Sequence, residues 1–241
     1  MQPLRVALGF LTVLPVRPQE TPPPRVWGRA LSAFPLVGAL VGGAVASVRG
    51  VALAWGIPPA LAAALALTTG VLLTGGLHLD GLMDAADGLL GGATPEQRLT
   101  IMRDERVGAF GALAGLLALL LKFAALQSAP PAGIVLAGVW SRTVMALAVV
   151  GFPYARATGL GAWWKRHARR RDAGLAAGLA GGLSLAAGWP GVLGGLLVTL
   201  TAWATARWAL RRVPGLTGDL YGALGELSET LALVLWAGLA V

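Results

Sequence analysis

Residues 74–111 read TGGLHLDGLMDAADGLLGGATPEQRLTIMRDERVGAFG and hold an unusual concentration of negative charge. The stretch contains six of the eleven acidic residues of the 241-residue chain, among them Asp80, Asp84, Asp87, Asp104 and Glu105. An α-helix advances by about 100° per residue, so the three aspartates at 80, 84 and 87 fall within about 60° of one another. Because like charges on one helix face repel, the pattern indicates that a cation lies between them.

The acidic stretch directly follows an apolar run at 60–73, which places it at or in a membrane edge. One aspartate at the centre of a membrane helix costs roughly 2.5–3.5 kcal/mol. Three unpaired aspartates would cost on the order of 8–10 kcal/mol, comparable to the net stability of a whole domain. Packing alone does not offset this cost, so we predict a divalent cation that carries a phosphorylated substrate.

The composition predicts an all-α, polytopic membrane helical bundle. Hydrophobic residues make up 56% of the chain and charged residues 12%, against about 25% charged in soluble proteins. The 35 glycines suit close packing between membrane helices. We expect a single integral-membrane catalytic domain over residues 1–241, and we leave open a homo-oligomer.

Hydropathy predicts six or seven transmembrane helices. The candidate segments are 30–48, 57–77, 109–127, 132–150, 175–189, 192–208 and 227–241. A shorter apolar run at 4–16 cannot span and is not followed by a signal-peptide cleavage site. We predict that residues 1–30 form an interfacial or re-entrant segment.

The basic residues predict the orientation of the chain. With the N-terminus in the cytoplasm, the inner segments 1–30, 78–108, 151–173 and 209–226 carry 15 of the 19 lysines and arginines. The positive-inside rule requires this asymmetry. The net charge of +8 therefore favours the lipid bilayer over nucleic acid as partner. Segment 163–171 (WWKRHARRR) fits an anchor on anionic lipid better than a platform for a nucleotide.

The motif DGLMDAADG supplies Asp80, Asp84 and Asp87 as ligands at i, i+4 and i+7. Carboxylate oxygens in a chain without cysteine suit Mg²⁺, with Mn²⁺ as a substitute. A polar helix–helix seam and a proton path are the alternatives, since intramembrane acids also mark transporters. Metal binding is favoured because three aspartates without a neighbouring cation make a poor seam.

The motif MRDERVG at 102–108 alternates in charge. Asp104 is a further candidate metal ligand, while Arg103 or Arg106 can clamp a phosphate with two hydrogen bonds. The alternative is a solvated loop whose charges neutralise one another.

Four more polar residues are candidates for substrate binding. Arg142 lies within a span and needs a partner, either an aspartate, a substrate phosphate or a structural counter-ion. His78 points about 160° away from the aspartates on a regular helix, so it contacts substrate or packs internally. Asp219 and Glu226 flank the last span, where they reach the site or stabilise the start of the helix.

The quoted stretch, with TGGLHLDGLMDAADGLLGG followed by IMRDERVGAFG, resembles the signature of the adenosylcobinamide-GDP ribazoletransferase family, also called cobalamin-5′-phosphate synthase. Further similar pieces occur in the family's order: FLTVLPV, FPLVGALVG, SR at 141–142, PYAR and GLTGDLYGALGELSE. The resemblance covers most of the chain. The family often has an acidic residue where Leu79 stands, so that position is not an essential ligand.

The resemblance implies a magnesium-dependent phosphotransferase of the cell inner membrane whose active face is cytoplasmic. Such an enzyme joins adenosylcobinamide-GDP to α-ribazole, or to α-ribazole 5′-phosphate, and GMP leaves. The aspartates Asp80, Asp84, Asp87 and Asp104 would hold the metal. One of Asp84, Asp87 and Asp104 would accept the proton of the attacking hydroxyl, and which one is left open.

Two other functions compete with this one. CDP-alcohol phosphotransferases also place clustered aspartates and a metal on membrane helices, but their pattern has Ala-Arg shortly after the first Asp-Gly, where this chain has DAAD at 84–87. An ion-coupled transporter could use the same aspartates. It predicts broken helices in two matched repeats, and the sequence shows no such repeat.

Overall fold

The structure, a computed structural model, describes residues 2–16 and 22–239. Arg17, counted above among the inner basic residues, and positions 240–241 of the last predicted span lie outside these ranges. Within the described ranges the regular elements are α-helices and one 3₁₀ turn, apart from an isolated bridge between Tyr154 and Leu216. The predicted all-α class is confirmed.

The helices follow one another in this order: α1 Gln2–Leu11, α2 Pro24–Ala30, the 3₁₀ turn Leu31–Ala33, α3 Phe34–Ala54, α4 Pro59–Thr74, α5 Leu77–Gly91, α6 Pro95–Ile101, α7 Ala109–Leu126, α8 Pro131–Gly151, α9 Leu160–His167, α10 Arg170–Ala186, α11 Trp189–Leu210 and α12 Gly218–Leu239.

Among the described residues, five helical stretches are long and apolar enough to cross a membrane, and a bent pair, α4 with α5, is a sixth candidate. These are Pro24–Ala54, Ala109–Leu126, Pro131–Gly151, Trp189–Leu210 and Gly218–Leu239. With the bent pair counted as one span, the six candidates match the lower of the two predicted numbers. The predicted span at 175–189 is not among them, because α10 has 17 residues and begins with the charged run RRD. At about 1.5 Å per residue it falls short of a hydrocarbon core roughly 30 Å thick.

The second predicted span, 57–77, is interrupted before its end. Gly75 and Gly76 both have positive φ, 62° and 70°, a left-handed conformation that glycine adopts without steric cost. The chain therefore leaves α4 and enters α5 at an angle of 85°. This bend separates the apolar run from the acidic helix.

The last helix begins earlier than hydropathy indicated. Because α12 starts at Gly218, Asp219 and Glu226 lie inside the helix and do not flank it. The prediction failed since hydropathy treats each acid as unpaired. Glu226 is in fact ion-paired with Lys122 of a neighbouring helix, so it does not interrupt the span.

Small residues allow the central helices to approach closely. A Cβ added at Gly38 of α3 would collide with the carbonyl of Gly138 in α8, and the reverse also holds. Contact between two helix backbones at glycine is the packing predicted from the composition.

The segments predicted to share one membrane face meet at one end of the bundle. Arg98 donates to the carbonyl of Arg212, and Arg156 pairs with Asp219. At the opposite end, Arg49 donates to two carbonyls of the α7–α8 connection. The end that holds most of the basic residues also holds α5 and α6.

Candidate active site

The crossing of α5 with α12 positions the acidic residues. A Cβ added at Gly81 would lie 2.9 Å from the carbonyl oxygen of Asp219, and one at Gly222 would lie 3.4 Å from Cα of His78. Glycine at both positions lets the two backbones touch. Asp219 on α12 is therefore brought beside the aspartates of α5.

Three of these residues, Asp80, Asp84 and Asp219, form what we call the acidic cluster. Asp84 is half-buried and experiences the negative charges of Asp80, Asp219 and Asp87, opposed by the positive charge of Arg156. Arg156 Nη2 lies 3.0 Å from Asp219 Oδ2. Three carboxylates thus share one guanidinium, and the cluster keeps an excess of negative charge.

Tyr154 lies close to this cluster, on the connection between α8 and α9. Burial raises the pKa of its phenol, while the positive charges of Arg156 and Arg103 act in the opposite direction. Both arginines therefore lie within electrostatic range of Tyr154, as does Asp219. Of the predicted phosphate-binding residues, Arg103 thus lies within electrostatic range of a residue close to the acidic cluster.

Asp87 is buried and its two oxygens bind backbone. Oδ2 accepts a hydrogen bond of 2.7 Å from the N–H of Gly108, and Oδ1 accepts one of 2.8 Å from the N–H of Gly111. These groups belong to the first turn of α7, where N–H groups lack partners within the helix. Asp87 therefore fixes the start of α7 against α5, a role that the sequence did not predict.

Asp104 and Arg106 lie in an exposed turn after α6. Arg106 donates from Nε to Oδ1 of Asp104 at 2.9 Å and from Nη2 to Oδ2 at 2.7 Å. These hydrogen bonds lower the pKa of Asp104 to about 2. The structure thus pairs the two residues with each other, as the solvated-loop alternative predicted.

A second group of charges lies inside the bundle, and we call it the buried ion network. It consists of Lys122, Arg142, Glu226 and Glu229. Lys122 Nζ lies 2.5 Å from Glu226 Oε1 and 3.0 Å from Glu229 Oε1, and Arg142 pairs with Glu229. Two cations balance two anions. Of the partners predicted for Arg142, the structure gives a structural counter-ion, which is a glutamate.

Sequence reasoning missed Lys122 and Glu229. A signal was present, because a lysine within an apolar helix requires an acidic partner. Glu226 and Glu229 are three residues apart and therefore share one face of α12. If every charged residue within the predicted spans had been assigned a partner of opposite charge, the sequence would have predicted that Lys122 pairs with these glutamates.

His78 lies beside the buried ion network. It is 3% exposed, and Nε2 is buried without a hydrogen-bond partner among the described residues. Arg142, Glu229 and Lys122 act on it electrostatically. Of the two predicted roles, the structure gives it a packed, internal position.

The acidic cluster has the chemistry of a site for a hard cation. Its donors are all carboxylate oxygens, the ligands that Mg²⁺ prefers. Within residues 2–16 and 22–239, no three His, Cys, Asp or Glu side chains are close enough to hold a metal ion as they stand. Asp80 and Asp84 on α5 and Asp219 on α12 are the residues whose charge such an ion would compensate.

Comparison with known proteins identifies the family of the chain. A profile described as cobalamin-5-phosphate synthase matches residues 3–237. The adenosylcobinamide-GDP ribazoletransferase of Pseudomonas paraeruginosa is 45% identical, with 97% of each chain covered. Proteins with the same description from Desulfitobacterium hafniense and Desulforamulus reducens are 42% and 39% identical, covering 97% and 96% of this chain and 96% and 94% of their own. No solved structure matches the chain significantly. The chain therefore belongs to the cobalamin-5-phosphate synthase family.

Proposed function

We propose that the protein is a membrane-bound adenosylcobinamide-GDP ribazoletransferase. It joins adenosylcobinamide-GDP to α-ribazole, or to α-ribazole 5′-phosphate, and releases GMP. Family membership over nearly the whole chain supports the activity. The observation that carries the assignment of the site is the uncompensated negative charge of Asp80, Asp84 and Asp219.

The reaction is a substitution at phosphorus. A hydroxyl oxygen of the ribazole forms a bond to the phosphorus that carries cobinamide, and the bond from that phosphorus to the oxygen of GMP breaks. The hydroxyl proton passes to a carboxylate. We assign this role to Asp84, because the oxygens of Asp87 are hydrogen-bonded to the start of α7 and Asp104 is paired with Arg106.

Magnesium fits the oxygen donors of the acidic cluster. Asp80, Asp84 and Asp219 would hold it, and when bound it would neutralise charge on the transferred phosphoryl group. We assign Arg103, which is exposed, and Arg156 to the phosphates of the nucleotide substrate, because guanidinium groups bind phosphate with paired hydrogen bonds.

We place the active end in the cytoplasm and the protein in the inner membrane. The support is the distribution of basic residues, since arginines and lysines concentrate in the segments that meet at the end containing α5 and α6. Accessibility of an introduced cysteine at position 105 to an impermeant reagent, in whole cells and in inverted vesicles, tests the orientation.

The activity is tested with purified protein in detergent. Release of GMP from adenosylcobinamide-GDP should require both Mg²⁺ and α-ribazole or its phosphate, and Mn²⁺ should substitute for Mg²⁺. Release without a ribazole would contradict the proposal, as would release in the presence of a chelator. A CDP-alcohol phosphotransferase would instead release CMP from a CDP-alcohol.

The transporter alternative is less well supported. Inverted repeats require broken helices in corresponding positions of two halves, whereas the described residues contain one bent pair, α4 with α5. Uptake of a solute into proteoliposomes without release of GMP would favour this alternative.

A further inference from the structure

A cavity of about 160 Å³ opens beside the acidic cluster and is walled mainly by aromatic and aliphatic side chains. Two phenylalanines pack against Trp164 along the cavity: the ring centroid of Phe10 lies 5.4 Å from that of Trp164, and the centroid of Phe34 lies 5.3 Å from it. Asp80 and Asp219 also line the cavity. One site therefore combines an apolar, aromatic chamber with two carboxylates of the proposed reaction centre.

Two residues of the wall carry polar atoms that lack a partner. Trp164 and Tyr221 are 2% and 5% exposed. The indole Nε1 of Trp164 and the phenol oxygen of Tyr221 are buried without a hydrogen bond in the part of the chain that the structure describes. Buried donors are nearly always paired in proteins, because an unpaired one loses its interaction with water. A ligand of the cavity that supplies an acceptor would give one of these two wall residues a partner.

We propose that this cavity binds the aromatic base of the ribazole substrate and holds its ribose toward the acidic cluster. The inference rests on the proposed function. A cavity of roughly 150 Å³ accepts a benzene ring, so this one admits the outer ring of a fused base whose other ring lies at the cavity mouth, and it excludes a corrinoid. A benzimidazole base has apolar edges for the aromatic walls and one ring nitrogen that accepts a hydrogen bond from Trp164 or Tyr221. The ribose hydroxyls donate to Asp80 and Asp219.

The guanine base of the other substrate fits this cavity less well. Guanine carries an amino group, a carbonyl and ring N–H groups around its edge, and most would face apolar side chains such as Met145 and Val149. Unpaired polar groups in an apolar wall weaken binding. The cavity therefore discriminates in favour of the ribazole.

The position of Trp164 corrects one expectation from the sequence. Segment 163–171 is predicted to anchor the protein on lipid, and Trp163 is 37% exposed, which fits that role. Trp164 is instead buried against Phe10, Phe34 and Trp27. Two adjacent tryptophans of one short helix, α9, thus have different surroundings.

The test is equilibrium binding of α-ribazole to the full-length protein in detergent, without metal or adenosylcobinamide-GDP, by isothermal titration calorimetry. Tyr221→Phe keeps the ring and removes only the phenol oxygen. Trp164→Phe removes the indole donor and replaces the indole by a smaller phenyl ring, so its effect is compared with that of the same substitution at Trp27. Because the ring nitrogen accepts from one of these donors, at least one of the two variants should weaken binding about 5- to 10-fold, as expected for loss of one hydrogen bond. Trp27→Phe is the matched control, since its Nε1 donates to the carbonyl of Pro22 and its ring touches Trp164 outside the cavity. It should bind α-ribazole as the wild type does.

Steady-state kinetics provide the second measurement. The variant that weakens binding should also raise the KM for α-ribazole, and both variants should leave the KM for adenosylcobinamide-GDP and the kcat unchanged. Wild-type binding and KM in both variants, with GMP still released, would overturn the inference and leave the proposed function standing. Displacement of bound α-ribazole by guanosine would overturn it as well. Absence of GMP release from a wild type that binds α-ribazole would contradict the proposed function alone.

Discussion

The acidic cluster and the buried ion network use the same kinds of side chain for opposite purposes. In the buried ion network, Lys122 and Arg142 balance Glu226 and Glu229. In the acidic cluster, Asp84 and Asp219 have Arg156 as their neighbouring cation among the residues that the structure describes, and Asp80 adds a third negative charge. Both groups include residues of α12, two turns of helix apart at Asp219 and Glu226.

The difference in charge balance between the two groups shows which charges are available to a ligand. A balanced network in the membrane interior satisfies its members internally, and removing one member leaves a buried charge unpaired. A cluster with excess negative charge remains open to a cation or a positively charged reaction centre. Charge balance, more than the number of acids, separates the candidate active site from the structural network.

The largest effect should come from Asp84→Asn in the acidic cluster. We expect turnover to fall by at least about 100-fold, as when a group that stabilises a transition state is removed. Thermal stability should be equal or higher because repulsion within the cluster decreases. GMP release and the unfolding midpoint measure the two quantities, with the exposed Glu105→Gln as control. Normal turnover in the Asp84 variant would remove the cluster from the mechanism.

Lys122→Met should break the buried ion network. It leaves Glu226 and Glu229 with Arg142 as their only cation in the network, so we expect a loss of about 3–5 kcal/mol in the free energy of unfolding. The double variant Lys122→Met, Glu226→Gln restores charge balance and should recover part of this loss. Denaturant titration in mixed micelles measures both. A single variant as stable as the wild type would show that the network is not a structural unit.

Gly111→Ala tests the structural role assigned to Asp87. The added Cβ would collide with Oδ2 of Asp87 and lie 2.8 Å from the carbonyl oxygen of Met83. We expect a loss of about 1–3 kcal/mol in stability as α5 and α7 are forced apart. Gly43→Ala in α3, where a Cβ meets nothing within 4 Å, should be neutral or stabilising. Equal stability of the two variants would contradict the close contact.

The smallest effect should come from Asp104→Asn. Water and salt screen an exposed ion pair, so it contributes little to stability, and both stability and turnover should change little. Because Arg106 lowers the pKa of Asp104 to about 2, the stability gained from the pair is present above the unfolded pKa of about 3.9 and is lost as the pH falls through about 2. Any change in the pH–rate profile between about pH 5 and 9 must then arise elsewhere. A large loss of turnover would instead place Asp104 in the metal site predicted from the sequence.

Much of the fold could be predicted because hydropathy acts locally. The helical class, most spans and the helix that carries Asp80, Asp84 and Asp87 follow from apolar runs and helical spacing. The errors occurred where that rule is incomplete. Gly75 and Gly76 bend the chain where hydropathy shows one continuous segment, and α12 extends past Glu226 because partners in other helices satisfy its charge.

The candidate site could be predicted in part. Asp80 and Asp84 stand in the acidic cluster, whereas Asp87 binds the start of α7 and Asp104 binds Arg106. Residue type is the same in all four cases, and helical spacing places Asp87 on the same face as Asp80 and Asp84. The partners of Asp87 and Asp104 belong to a distant part of the chain or to a turn whose geometry spacing does not specify, so the sequence could not show which of the four acids are already paired.

The sequence by itself determined that the protein is a helical membrane protein and that its negative charge is concentrated after the second apolar segment, since both depend on composition and local periodicity. The tertiary structure alone decided which of those charges are already paired. Pairing depends on helix crossings such as the contact of Gly81 with Asp219, which join residues far apart in the chain. The free energy of a charge in a membrane protein is fixed by its neighbours in space.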